Sequence, residues 1–181
     1  MYEVELKLQT SHDSLRETLA DHGAAHVDSR SQTDTYYDAP HREFTETDEA
    51  LRIRHDEPAE GEAVTKLTYK GPLVEAESKT RQEHETVVAD ETALEGVLSG
   101  LGFEPAATVE KDREFYTLDG YTITLDRVRV LGEFIEIEQE TTAEAVDTVR
   151  EGAVDLLSEL GLYPSEQILT SYLGLLLENR S

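Results

Sequence analysis

The sequence predicts an α+β protein: a closed eight-stranded antiparallel β-barrel with a charged interior, covered by about four helices. Three observations predict it. Strand-length segments recur in which charged and apolar residues alternate, so each segment has one charged face and one apolar face. The charged positions repeat a few residue types, Glu, Lys and Arg, on strand after strand. The order strand, helix, strand, strand, strand also occurs twice. A chain of 181 residues makes one ordinary domain with a real core. The expected organisation is a single domain over 1–181, with similar halves at about 1–79 and 80–140 and C-terminal helices within 142–178.

Composition narrows the function. A net charge of −24 argues against nucleic acid or an anionic membrane as a partner, since both need a basic footprint. Hydrophobic residues make up 38% of the chain and fall in periodic patterns, which speaks against disorder. The acid excess resembles that of proteins working at high ionic strength, where salt screens self-repulsion. With no cysteine, disulfides and thiolate metal sites are excluded. No apolar run approaches the roughly 18 residues of a membrane span, and the chain opens on a strand pattern instead of a leader peptide. A soluble, cytoplasmic protein is expected. Only five lysines occur, and Lys7, Lys66, Lys70 and Lys111 all fall in predicted strands.

In chain order, Tyr2–Lys7 is the first strand, with Glu3, Glu5 and Lys7 on one face and Val4, Leu6 and Leu8 on the other. Residues from Thr10 to Gly23 read as a short helix with Leu15 and Leu19 on one face and Gly23 as terminator. Strands follow at Gln32–Asp38, at Ala50–His55 with Arg52 and Arg54 in phase, and at Val64–Lys70, ending before Gly71-Pro72. The fifth, Arg81–Val88, puts Arg81, Glu83 and Glu85 together. Asp90 caps a helix over Glu91–Leu101. The sixth strand, near Thr108–Thr117, carries Lys111, Arg113 and Phe115 on one face. The Asp119-Gly120 turn leads into the seventh, Tyr121–Arg129, with Thr122, Thr124 and Asp126 in phase. The eighth, Glu133–Glu140, sets Phe134, Glu136 and Glu138 against Ile135 and Ile137. A Thr141-x-x-Glu144 capping box opens a helix over Thr142–Leu160. A last helix is expected over Ser165–Glu178, with Ile168, Leu169, Tyr172, Leu173 and Leu176 at helical spacing.

The halves echo one another: Leu15, Leu19, Gly23, Tyr36 and Tyr37 recur 79 residues later as Leu94, Leu98, Gly102, Phe115 and Tyr116. An eight-stranded barrel has an interior just wide enough for side chains or one small ligand. With the charged faces inside, acids (Glu3, Glu5, Glu83, Glu85, Asp126, Glu136, Glu138) nearly balance bases (Lys7, Arg52, Arg54, Lys66, Lys70, Arg81, Lys111, Arg113). Burying such charges is costly unless they pair or meet a ligand. Clustered carboxylates suit a hard divalent cation, and clustered Arg and Lys suit phosphate oxygens. Together they describe a metal–polyphosphate site; the competing reading is a set of internal ion pairs holding an unusual barrel. The six histidines are scattered, and glycine-rich phosphate loops are absent.

The ordered motifs carry a family resemblance. Glu3-x-Glu5-x-Lys7, Asp34-Thr35-Tyr36-Tyr37-Asp38, Leu51-Arg52-Ile53-Arg54, Leu67-Thr68-Tyr69-Lys70-Gly71-Pro72, Arg81-x-Glu83-x-Glu85 and Gly132 to Glu138 resemble the CYTH superfamily, the triphosphate tunnel metalloenzymes. Lys70-Gly71-Pro72 and Ser171-Tyr172 resemble its class IV adenylate cyclase branch. The resemblance implies Mg²⁺ or Mn²⁺ on Glu3, Glu5, Asp126, Glu136 and Glu138. It implies a small-molecule triphosphate held by Lys7, Arg52, Arg54, Lys70, Lys111 and Arg113, with Lys66 and Arg81 as further candidates. Glu5, Lys7, Lys111 and Glu136 are the candidate catalytic residues. The implied activity is conversion of ATP to cyclic AMP and pyrophosphate. The alternatives are hydrolysis of thiamine triphosphate, tripolyphosphate or another triphosphate, and a non-catalytic polyphosphate-binding module. A homodimer is left open.

Overall fold

The computed structural model describes residues 1–75 and 78–180. Eight antiparallel strands close into a barrel: β1 (Tyr2–Gln9), β2 (Ala25–Asp38), β3 (Ala50–Pro58), β4 (Val64–Glu75), β5 (Thr80–Val87), β6 (Glu104–Leu118), β7 (Tyr121–Val128) and β8 (Gly132–Thr141). Around the barrel they run β1-β5-β4-β3-β2-β6-β7-β8. Helices α1 (Leu15–Asp21), α2 (Phe44–Thr47), α3 (Glu91–Gly100), α4 (Val146–Glu159) and α5 (Tyr172–Asn179) attach to the outside and to one mouth. The α+β barrel expected from the sequence is therefore the fold found.

The main core lies between the barrel's outer wall and the helices. Leu6, Leu8, Ile123, Leu125, Ile135 and Ile137 point outward from β1, β7 and β8. They pack on Leu15 and Leu19 of α1 and on Ala153, Leu156 and Leu157 of α4. A second cluster covers the opposite wall, where Tyr37 and Ile53 meet Leu98 of α3. Because the apolar sides of the strands are spent on these layers, the alternate side chains must face inward, whatever their charge.

A third cluster has a different place. Tyr36, Val109, Val128 and Phe134 are in phase with inward-facing residues of their strands. Tyr172 and Leu176 of α5 pack on them. This apolar layer fills the barrel at the end where β1 finishes and β8 begins, so α5 stoppers that mouth.

Several boundaries correct the sequence reading. Strand β2 begins at Ala25, not Gln32, and pairs with β6 from Ala25↔Thr117 to Asp38↔Glu104, bulging between His26 and Asp28. Its first half alternates polar side chains toward a polar interior, so hydrophobicity could not mark it. Strand β4 continues through Gly71-Pro72 to Glu75 by irregular pairing instead of stopping. The first helix starts at Leu15, because Thr10 N–H extends the sheet by bonding to the Glu133 carbonyl (3.1 Å). Thr141 belongs to β8, opposite Tyr2, and does not cap a helix; a 3₁₀ turn at Ala143–Ala145 leads into α4. The last helix begins at Tyr172, not Ser165. Ile168 N–H bonds to the Lys7 carbonyl (2.7 Å), and Ser171 caps α5 by accepting from Gly174 N–H (3.0 Å). The short α2 was not expected. The Asp119-Gly120 turn has φ of 51° and 83°, the left-handed pair a type I′ hairpin needs.

Candidate functional site

The strand phases converge on an internal cavity of about 860 Å³. Every candidate site residue read from the sequence lines it except Asp126. The cavity has a carboxylate cluster, a cationic wall and an aromatic floor.

Glu3 and Glu5 on β1 and Glu138 on β8 form the cluster. Register sets Glu5 opposite Glu138, and one carboxylate oxygen from each residue lies within 4.8 Å of the others. Burial pushes the Glu138 carboxyl well above its ordinary range, with Glu3 adding repulsion against the pull of Arg113. Burial also raises Glu3, to about 7; Glu83 and Glu5 push the same way and Lys70 opposes. Carboxylates driven to hold protons by their neighbours are stabilised by a cation placed among them. The donors are all oxygens, without His or Cys, so the residues present fit a hard divalent ion such as Mg²⁺ or Mn²⁺.

Glu136 and Asp126 are placed differently. Both face Arg113. The Arg113 guanidinium donates from Nε and Nη2 to the two Asp126 oxygens (2.6 and 2.8 Å) and from Nη2 to Glu136 as well. Asp126 also accepts from the Tyr172 hydroxyl (2.6 Å). Burial alone would raise Glu136, but Arg113, Lys111 and Lys7 together hold it below the usual carboxylate range. The five carboxylates named from the resemblance thus divide into three that meet and two that brace Arg113.

The cationic wall spans several strands. Lys70 Nζ lies 3.4 Å from Glu3 and 3.3 Å from Glu83, which raise it despite its burial. Lys66 sits at a cavity edge, 3.8 Å from Asp56 and 3.6 Å from Glu85. Arg81 is bound to Asp48, which also pairs with Lys79. Lys7 and Lys111 face the Tyr172 ring, their Nζ atoms 4.5 and 5.1 Å from its centroid. Burial and the repulsion of Arg113 push Lys111 down to about 7. Arg52 Nε, Gln32 Oε1 and Thr124 Oγ1 are buried without a hydrogen-bond partner among the described residues. Such atoms cost about 1–3 kcal/mol each unless a ligand or water meets them.

Three participants escaped the sequence reading. The sequence shows Asp34 only as part of a motif, yet it grips Arg54 with both oxygens (2.7 and 2.8 Å). Asp48 and Lys79 sit at the mouth beside Arg81. The in-phase position of Asp34 with Tyr36 and Gln32 was the available signal for the first; Asp48 lies on a connection, where phase gives none.

A closed barrel with inward carboxylates facing inward guanidinium and ammonium groups defines a charged-tunnel protein. The chain matches the CYTH domain family over residues 1–172 and belongs to it. It is 33% identical over 177 residues to a Methanocaldococcus jannaschii protein provisionally named an adenylate cyclase, covering 97% of this chain and 98% of that one. It is 26% identical over 147 residues to adenylate cyclase CyaB of Aeromonas hydrophila, covering 81% and 72%. A solved protein of Pyrococcus horikoshii superposes with a TM-score of 0.90 at 39% identity, covering 98% and 99%.

Proposed function

We propose that this chain is a metal-dependent adenylate cyclase that converts ATP to cyclic AMP and pyrophosphate. The observation that carries the reading is the joining, in one 860 Å³ cavity, of a three-carboxylate cluster with a wall of Lys and Arg. The cyclase names of two relatives, one of them provisional, lend support to the cyclase branch.

In this reading Glu3, Glu5 and Glu138 hold Mg²⁺ or Mn²⁺, which supplies Lewis-acid neutralisation of phosphate oxygens. Lys7, Lys70, Lys111, Arg52 and Arg54 bind the triphosphate and offset charge that grows as the bond to the leaving group breaks. Arg113 is aimed by Asp126 and Glu136 toward the same phosphates. The ribose 3′-hydroxyl oxygen bonds to the α-phosphorus, the bond from that phosphorus to the bridging oxygen breaks, and pyrophosphate departs. The hydroxyl proton is available to the departing pyrophosphate.

Incubation with ATP and Mg²⁺ or Mn²⁺ in high KCl, followed by separation of products, tests the reading. Cyclic AMP and pyrophosphate are expected, with turnover abolished by excess chelator. ADP and orthophosphate without cyclic AMP would make the chain a triphosphatase; binding without turnover would make it a polyphosphate-binding module.

A further inference from the structure

Asp34 is fully buried in the middle of β2. Register puts it directly across from Arg54 on β3. The carboxylate takes Arg54 Nε on Oδ1 (2.7 Å) and Nη2 on Oδ2 (2.8 Å). Lys111 Nζ of β6 lies 3.4 Å from Oδ2, and Arg52 Nη1 lies 3.8 Å from the same oxygen. One carboxylate therefore meets two guanidinium groups and the Lys111 amine, more basic groups than it can neutralise. Arg52 Nε, itself buried, has no hydrogen-bond partner among the described residues.

We infer that Asp34 is a positioning residue that presets Arg54, Arg52 and Lys111 for a ligand carrying several linked phosphates. The inference rests on the triphosphate reading above. A bidentate carboxylate fixes the plane of a guanidinium, so Arg54 presents its remaining Nη1 edge in one direction. Three cations gathered around one carboxylate can each meet a different phosphate of one chain. A single phosphate gains little from that arrangement, because any one mobile cation can meet it.

Asp34→Asn keeps the shape and removes the charge. Calorimetry with inorganic tripolyphosphate and with orthophosphate, without metal and at fixed high KCl, reads the consequence. Tripolyphosphate affinity should fall about tenfold, the equivalent of one charge-assisted hydrogen-bond arrangement, while orthophosphate affinity holds or rises as the wall gains positive charge. Arg54→Gln should lower tripolyphosphate affinity too, and the Asp34→Asn/Arg54→Gln double variant should lose less than the sum of the two single losses, with Arg52 and Lys111 accounting for what Asp34 still adds. A parallel rise for both anions would mean the carboxylate merely dilutes the charge and would overturn the inference. An equal fall for both, with a lowered melting temperature, would mean a purely structural role and overturn it equally. Strictly additive losses in the double variant would also count against it. A wild-type protein that binds no tripolyphosphate would remove the triphosphate reading itself, and this inference with it.

Discussion

At the scale of residues, proton linkage separates the two halves of the cavity. Glu3 is pushed up to about 7, so near pH 6 its carboxyl is mostly protonated in the metal-free protein. A cation must displace that proton. Mn²⁺ affinity should rise between about pH 6 and 8, with proton release readable by calorimetry in buffers of different ionisation enthalpy. Glu3→Gln should lower the release together with most of the affinity, leaving the part that Glu138 contributes; metal binding independent of pH would contradict the assignment. Lys111 has the opposite sign. Its ammonium is pushed down to about 7, so above that pH it is mostly neutral. A polyanion favours the charged form, so tripolyphosphate binding near pH 8 should take up protons. Lys111→Met should remove that uptake, and uptake persisting in the variant would assign it elsewhere. The residue pattern behind these predictions was readable early, because Glu3, Glu5 and Lys7 alternate on one strand. The division of labour among carboxylates was not. Glu136 and Asp126 are in phase with the others, and only the three-dimensional position of Arg113 shows which acids it occupies.

At the scale of elements, the docking of α4 sets up a contrast between local and tertiary effects. Helix propensity alone says Gly152→Ala should stabilise by about 1 kcal/mol. An added Cβ would stand 2.2 Å from the Tyr121 hydroxyl and 3.3 Å from its ring carbon, while that hydroxyl donates to the Val149 carbonyl at 2.7 Å. The ring must swing away and give up the bond, so a net loss of about 1 kcal/mol is expected in urea denaturation. Tyr121→Phe should relieve much of the further cost of Gly152→Ala. A stabilised Gly152→Ala variant would show that the ring relocates freely. The same level explains which helices the sequence revealed. Asp90 accepts from Ala93 N–H (2.9 Å) as its pattern suggests. The sequence overextends the last helix because Ile168 and Leu169 continue the helical spacing of Leu173 and Leu176. Nothing in that spacing reveals that the chain before Tyr172 is pinned to the edge of β1 at Lys7.

At the scale of the whole molecule, an inverted barrel carries near-neutral charge inside and its acid excess outside. The net charge of −24 should make the fold sensitive to screening. Melting temperature should climb as KCl rises from about 0.1 M, where screening acts over ~10 Å, to about 1 M, where it acts within ~3 Å. A melting temperature indifferent to salt would refute this. The inversion also governs what the sequence reveals: strands with an apolar outer face stand out, whereas the start of β2, with Asp28 and Arg30 on its polar side, lacks the apolar alternation that marks a strand. The proposed function requires that metal and triphosphate meet in one tunnel, on Glu3, Glu5 and Glu138 and the facing cations. Electron paramagnetic resonance titration of Mn²⁺, with and without inorganic tripolyphosphate, tests it most directly. Tripolyphosphate should tighten Mn²⁺ binding to the wild-type protein, and Glu138→Gln, still folded, should lose most of the bound Mn²⁺. Equal Mn²⁺ binding by Glu138→Gln and wild type, unaffected by tripolyphosphate, would contradict it.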